Sequence, residues 1–221
     1  MKRYVVFILC TLFAINIFAY KERWDKKRED WTPLMRAVYC NQVVLRDSLI
    51  HAGVDVNESS KRQGMTALTV AIRKQAVGSV KVLLETDRIT DVNRYVITAC
   101  SNQDVDIVKL LVEYGAEIDT VDQNGYTPLM AAVSFGSAEI VEFLLNSKVN
   151  MDQQQGVGSL TALMLAVYNG QVEKVKLLVE YGANKNITNS DGKRAYNYID
   201  YAISIGRISE EDREKLQALL E

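Results

Sequence analysis

The sequence predicts an all-helical solenoid, one small helix pair stacked repeatedly along an axis. Three observations carry this prediction. The octet Lys-Leu-Leu-Val-Glu-Tyr-Gly-Ala occurs at 109–116 and again at 176–183. That separation is two periods of about 33 residues, and self-similarity at such a period marks a stacked architecture rather than one globular core. A second block recurs in phase. Thr-Pro-Leu-Met opens at Thr32 and Thr127, variants open at Thr66 and Thr161, and degenerate copies start at Arg94 and Arg194. Third, the segments between carry apolar residues at helical spacing, as in Val105, Val108, Leu111 and Val112. One such unit cannot bury its stripe alone, so neighbours must stack.

Each element follows from its residues. Thr at the opening is a good N-cap, because its oxygen accepts from an early free N–H. Pro33 and Pro128 take the first helical position, where the missing N–H is not needed and φ is preset. Leu34, Leu68, Leu129 and Leu163 then face inward with Ala37, Ala71, Ala132 and Ala166. The small alanines let adjacent first helices approach closely. A second helix follows and ends at Gly53, Gly115 or Gly182, where a left-handed residue is wanted. A polar segment such as Asp119–Gly125 then makes a hairpin finger leading to the next Thr.

This succession (Thr-Pro-Leu, a short helix, a second helix ending Leu-Leu, then Gly-Ala and a finger) resembles the ankyrin repeat, of the exported bacterial type. The resemblance covers residues 31–205. It implies five repeats and a degenerate sixth, with starts near 32, 66, 94, 127, 161 and 194. Residues 206–221 are expected as a C-terminal capping helix. Ser209 is its N-cap before an acidic first turn, and Leu216, Leu219 and Leu220 close the stack.

The chain departs from the family pattern in two ways. The family His after the opening Leu is replaced by Met35, Thr69, Ile97, Met130 and Met164, which are either packing residues or a binding stripe. The spacing from Thr66 to Arg94 is also short. The finger between repeats two and three is missing, Asp87 stands where a Gly is wanted, and no Thr-Pro cap opens repeat three. A weak or bent joint is expected there, through tolerated drift or as a functional kink.

Lys2 and Arg3 precede an apolar stretch from Tyr4 to Phe18, and the charged run Lys21–Asp30 follows. Residues 1–19 read as a signal peptide cleaved after Ala19. An uncleaved membrane anchor is the alternative. The apolar stretch is short for a span, which needs about 20 residues. Residues 20–30 read as a charged linker or an N-terminal half-helix. The expected location is the periplasm or the medium, or the inner membrane facing the periplasm if the segment is retained. Cleavage removes two of the 26 basic residues and none of the 28 acidic ones. The mature chain is therefore more acidic, and its charge gives no general attraction to nucleic acid.

No constellation for catalysis is present. His51 is the sole His and aligns with the exposed helix-end positions Glu113 and Glu180. Beyond the leader only Cys40 and Cys100 remain, two repeats apart, too far for a disulfide and too few for a zinc site. Gly156-Val157-Gly158 lacks the Lys-Ser/Thr of a phosphate cradle. The expectations are accordingly no enzyme, no cofactor, no metal and no nucleic acid. A membrane contact is expected only if the leader stays, and the chain should be a monomer.

The resemblance implies binding of another protein through the finger tips and the concave groove of the first helices. Before each opening stand Trp31, Met65, Tyr126 and Leu160. At the far end of the first helices stand Tyr39, Arg73, Phe135 and Tyr168. Aromatic residues, Met and Arg are enriched at interface cores. These eight residues are the expected partner-binding set.

Overall fold

The computed structural model describes residues 29–123, 125–154 and 158–221. The expected leader and most of the charged segment lie outside them. All regular elements among the described residues are helical. Helices α1 (Pro33–Tyr39) and α2 (Val43–His51) form the first pair. The second is α3 (Ala67–Arg73) with α4 (Val77–Leu84), and the third α5 (Asn93–Cys100) with α6 (Val105–Glu113). Then come α7 (Pro128–Phe135) with α8 (Ala138–Asn146), and α9 (Ala162–Tyr168) with α10 (Val172–Glu180). A 3₁₀ turn, Ala195–Tyr198, runs into α11 (Ile199–Ser204), and α12 (Glu210–Leu220) packs back on it. The expected capping helix is therefore the second helix of the sixth pair. It lies against α10 and buries Leu216 and Leu220.

The local chemistry repeats with the period. Oγ1 of Thr32, Thr66, Thr127 and Thr161 accepts from the backbone N–H three residues on, at 3.2, 3.2, 3.1 and 3.2 Å. Each such cap is worth about 1 kcal/mol. Gly53, Gly115 and Gly182 take φ of 82°, 90° and 89°. Asp87 and Lys148 hold the same place in repeats two and four at 57° and 60°. For a residue with a Cβ, that conformation costs about 1 kcal/mol.

First helices pack on first helices and second on second, so the stack has two layers. Ala37, Ala71, Ala99, Ala132, Ala166 and Ala202 are fully buried at equivalent points of the first layer. With no bulk there, neighbouring first helices can approach closely. Met35, Met130 and Met164, in three of the family's His positions, are also buried and pack in the core, whereas Thr69 and Ile97 are half-buried.

The joint between repeats two and three lacks a finger, and its short loop is fastened instead to the loop that ends repeat one. The Arg88 guanidinium donates to the carbonyls of Val54 and Ile50 at 3.2 and 3.1 Å. Asn57 donates to the Arg88 carbonyl at 2.7 Å and accepts from the Thr90 N–H at 3.3 Å. The Tyr95 hydroxyl lies 3.1 Å from Thr66 Oγ1 inside the core. A wider ladder passes through this joint without a break. Asn93, Asp119 and Asp152 accept from the N–H of Glu117, Asn150 and Asn184 in the following repeats, at 2.8, 2.9 and 2.9 Å.

Two buried cations also tie repeats together. Arg46 donates to Ser79 Oγ at 2.8 Å. Lys174 Nζ reaches back one repeat to the carbonyls of Ala132, Val133 and Gly136, at 3.2, 2.9 and 2.8 Å. They lie at the C-terminal end of α7, where Ala132 also accepts from the Gly136 N–H and the later carbonyls lack intrahelical donors.

Candidate interaction surface

The C-terminal ends of the first helices form a line across the stack, because each is placed by the same buried alanine contact and four of the six by the same Thr cap. Tyr39 begins the line. Its ring meets Trp31 edge-on at 5.4 Å, and Lys74 from repeat two sits 4.7 Å over it. Asn102 of repeat three donates to the Ile72 carbonyl at 3.0 Å, and Gln103 donates to the Phe135 carbonyl at 2.9 Å. Asn169 of repeat five lies 3.4 Å from Ser134 Oγ of repeat four. Tyr168 then stacks on Tyr201 of repeat six at 5.0 Å, with 13° between the rings. Arg207 covers Tyr168 from 4.9 Å and donates to the carbonyl of the same residue at 3.0 Å.

The eight expected residues divide. Phe135 is 64 % exposed and stands out from the end of α7. Arg73 is exposed, and Tyr39 and Tyr168 are half-buried on the same line. Tyr126 and Leu160 are half-buried at the bases of fingers, packed against the core. Tyr126 is held there as its N–H donates to Asp122 at 2.8 Å. Trp31 and Met65, each 7 % exposed, do not offer a surface. They are core residues: Trp31 packs beside Tyr39, and Met65 lies under Arg73, whose guanidinium reaches its sulfur at 3.7 Å.

Tyr201 joins the line although it was not among the expected residues. It sits one residue before Ala202, whose carbonyl accepts from the Arg207 N–H as that of Ala166 does from Gln171; the 3₁₀ turn shifts the sixth first helix by three residues, so phase counted from Arg194 does not place Tyr201. Arg207 likewise lies past the fading of the pattern and carries no sequence signal. The hydrogen bond with Tyr168 raises the Tyr201 phenol above its ordinary pKa, and burial, then Asp191, raises Tyr198.

Charge divides between the two layers. The first helices carry Arg36, Arg73 and Arg94, with Lys74 at the end of α3. Their one carboxylate, Asp200, is paired with Arg213 of α12 at 2.7 Å. The second helices hold carboxylates in five of the six pairs, including Asp47, Glu113, Glu142, Glu173 and Glu211. Lys81, Lys109, Lys176 and Lys215 each pair with a carboxylate one turn away or at the end of the same helix. Among the described residues Arg73, Lys74 and Arg94 make no ion pair.

The missing finger leaves an open cleft of about 360 Å³ between the start of α5 and the finger after α6, lined by Asp91, Asn93, Arg94, Ile97, Thr120 and Val121. The other groups with shifted titration are elsewhere. Burial pushes the Cys100 thiol up and the Lys174 ammonium down. Lys215 is raised by Glu211, and Asp212 is lowered by Ser209. Among the described residues no group of three or more His, Cys, Asp or Glu side chains could hold a metal ion. In the same residues no helix is long and apolar enough to cross a membrane.

Fold and surface together define a two-layer helical solenoid with a repetitive interaction face. The family profile for ankyrin repeats (3 copies) matches residues 8–96 and 96–189, and the chain belongs to that family. A putative ankyrin repeat protein of Fowlpox virus is 40 % identical over 105 residues, 46 % of this chain and 30 % of its own length. The putative ankyrin repeat protein YahD of Escherichia coli is 30 % identical over 153 residues, 64 % of this chain and 75 % of that protein. A crystal structure of an ankyrin repeat domain from Acinetobacter baumannii superposes with a TM-score of 0.67 at 25 % identity, covering 85 % of this chain and 97 % of that one. The chain thus spans under a third of the fowlpox virus relative. Ankyrin repeats generally bind other proteins, and the family is typically non-catalytic.

Proposed function

We propose that the protein is a non-catalytic, monomeric module that binds another protein through the concave first-helix face. The observation that carries this reading is the line from Tyr39 to Tyr201, with Phe135 standing exposed at its centre. Exposed rings gathered along one row of a fixed scaffold mark an interaction surface. Fixed aromatic and Arg side chains are also the types that dominate binding energy. Phe135, Tyr168, Tyr39 and Arg73 remain in the proposed site; Tyr126 and Leu160 flank it at the finger bases. The test is affinity capture from the source organism, with full-length chain against a Phe135→Ala, Tyr168→Ala, Tyr201→Ala variant matched in helicity. A protein retained by the first and lost by the second is expected. Equal retention by both would remove this face.

Export places the module in the periplasm or the medium. Retention of residues 1–19 as an anchor facing the periplasm is a second reading. Intact mass of the exported protein separates the two. A mass lacking residues 1–19 means cleavage, and the full mass means a tether.

A further inference from the structure

The charge division between layers says what kind of partner the first-helix face takes. We propose that the bound partner segment is an extended, acidic stretch of polypeptide whose carboxylates meet Arg73 and Lys74 and whose aromatic or large apolar side chain lands on Phe135, Tyr168 and Tyr201. This rests on the proposed function, because it names the partner of the same face.

Complementarity is the argument. Arg73 and Lys74 are exposed side by side on repeat two, and no carboxylate pairs with them among the described residues. The exposed lysines of the second layer, by contrast, lie within 4.0 Å of a carboxylate of their own helix or its end. Cations that the fold leaves without counter-charge, in a row otherwise poor in carboxylates, favour an anionic visitor and repel a basic one. Repeats three and four then offer Ser101, Asn102 and Phe135, and the stacked pair Tyr168 and Tyr201 closes the row, with Arg207 lying over Tyr168. Arg73 and Lys74, without an ion pair among the described residues, thus stand at repeat two, and the exposed and stacked rings follow from repeat four onward. Four steps between packed helices at about 10 Å each span about 40 Å. An extended chain at about 3.3 Å per residue covers that length with about 12 residues.

A nucleic acid is the other anionic, ring-bearing ligand, and long-range electrostatics argue against it. The chain carries a formal net charge of −2 and an acidic second layer. A long polyanion meets that field along its length, whereas a short acidic segment is governed by charges within a Debye length of about 8 Å.

The experiment selects a phage-displayed library of random 15-residue peptides on immobilised full-length chain. Parallel selections use Arg73→Glu/Lys74→Glu and the neutral Arg73→Gln/Lys74→Gln, both exposed positions and both checked for an unchanged melting curve. A 15-residue oligothymidylate serves as the nucleic-acid probe. Enrichment of peptides with net negative charge and at least one aromatic residue is expected, with about tenfold weaker binding to the charge-reversed variant and intermediate binding to the neutral one. Peptides enriched without an acidic bias, or equally well bound after charge reversal, overturn this proposal and leave the interaction face standing. Tighter binding of the oligothymidylate overturns it in favour of nucleic acid. If the parent enriches nothing that the Phe135→Ala, Tyr168→Ala, Tyr201→Ala variant does not, both this proposal and the interaction face fall.

Discussion

Replacing Lys174 by Met tests how one repeat is fastened to the next. The Lys174 side chain is buried, and its ammonium caps three carbonyls of the preceding repeat. Met keeps the length and apolar stem but donates nothing. The Ala132 carbonyl still accepts from the Gly136 N–H at 2.9 Å. Those of Val133 and Gly136 lose the ammonium, and a buried acceptor deprived of its donor costs about 1–3 kcal/mol. Relief from burying a charge offsets part of this, since the same burial lowers the lysine pKa. The net expectation is a loss of about 3 kcal/mol. In a domain of this size that lowers the melting temperature by about 6–12 °C. Urea and thermal denaturation of Lys174→Met read it directly. The sign of the pH dependence is a second readout. The folded chain sheds this proton at lower pH than the unfolded chain, so within that alkaline window the unfolded state binds more protons. Stability contributed by this group therefore rises with pH there and falls as pH drops through the folded pKa. Lys174→Met should abolish that slope. A destabilisation below about 0.5 kcal/mol with the slope intact would refute the capping argument.

Three further perturbations probe the stack. Gly136→Ala drives a Cβ into the Cys100 carbonyl oxygen and places it 2.9 Å from Ala132 Cα, backbone atoms that cannot rotate away. It should cost about 3 kcal/mol in urea denaturation. Gly78→Ala meets nothing within 4 Å and should be neutral or slightly stabilising in the same assay. Arg88→Ala removes the bonds to Val54 and Ile50 that fasten the fingerless loop to the end of repeat one, and should cost about 2 kcal/mol. Hydrogen exchange should show lost protection centred on residues 86–93. The Cys100 thiol is buried, with its pKa raised by burial, so it should resist alkylation at pH 8 until the chain unfolds. Rapid modification of Cys100 in the native protein would mean that repeat three opens locally.

The periodic part of the molecule was legible because each signal has a local cause. Thr caps, left-handed glycines and buried alanines act within one repeat, so their spacing reads straight from the chain. What needs a neighbouring repeat was less legible. Lys174 looks like a surface lysine in an amphipathic helix, and only the arrival of the α7 carbonyls makes it a buried cap. Trp31 and Met65 have the composition of an interface and the register of a finger base, yet the next side chain, Tyr39 or Arg73, lies over them. The missing finger was visible as a short spacing, whereas its replacement by Arg88 and Asn57 depends on carbonyls more than thirty residues away. The charge division between layers also lay in the sequence, but it has meaning only once alternate helices are assigned to opposite faces.

The most direct test of the central claim is photo-crosslinking in the source organism. A benzophenone amino acid would replace Phe135 on the first-helix face, Tyr201 at its end, or Glu142 on the exposed second layer. Interaction through the first-helix face predicts a discrete protein adduct from positions 135 and 201 and none from 142. An adduct from 142 alone, or none from 135 and 201, would contradict it.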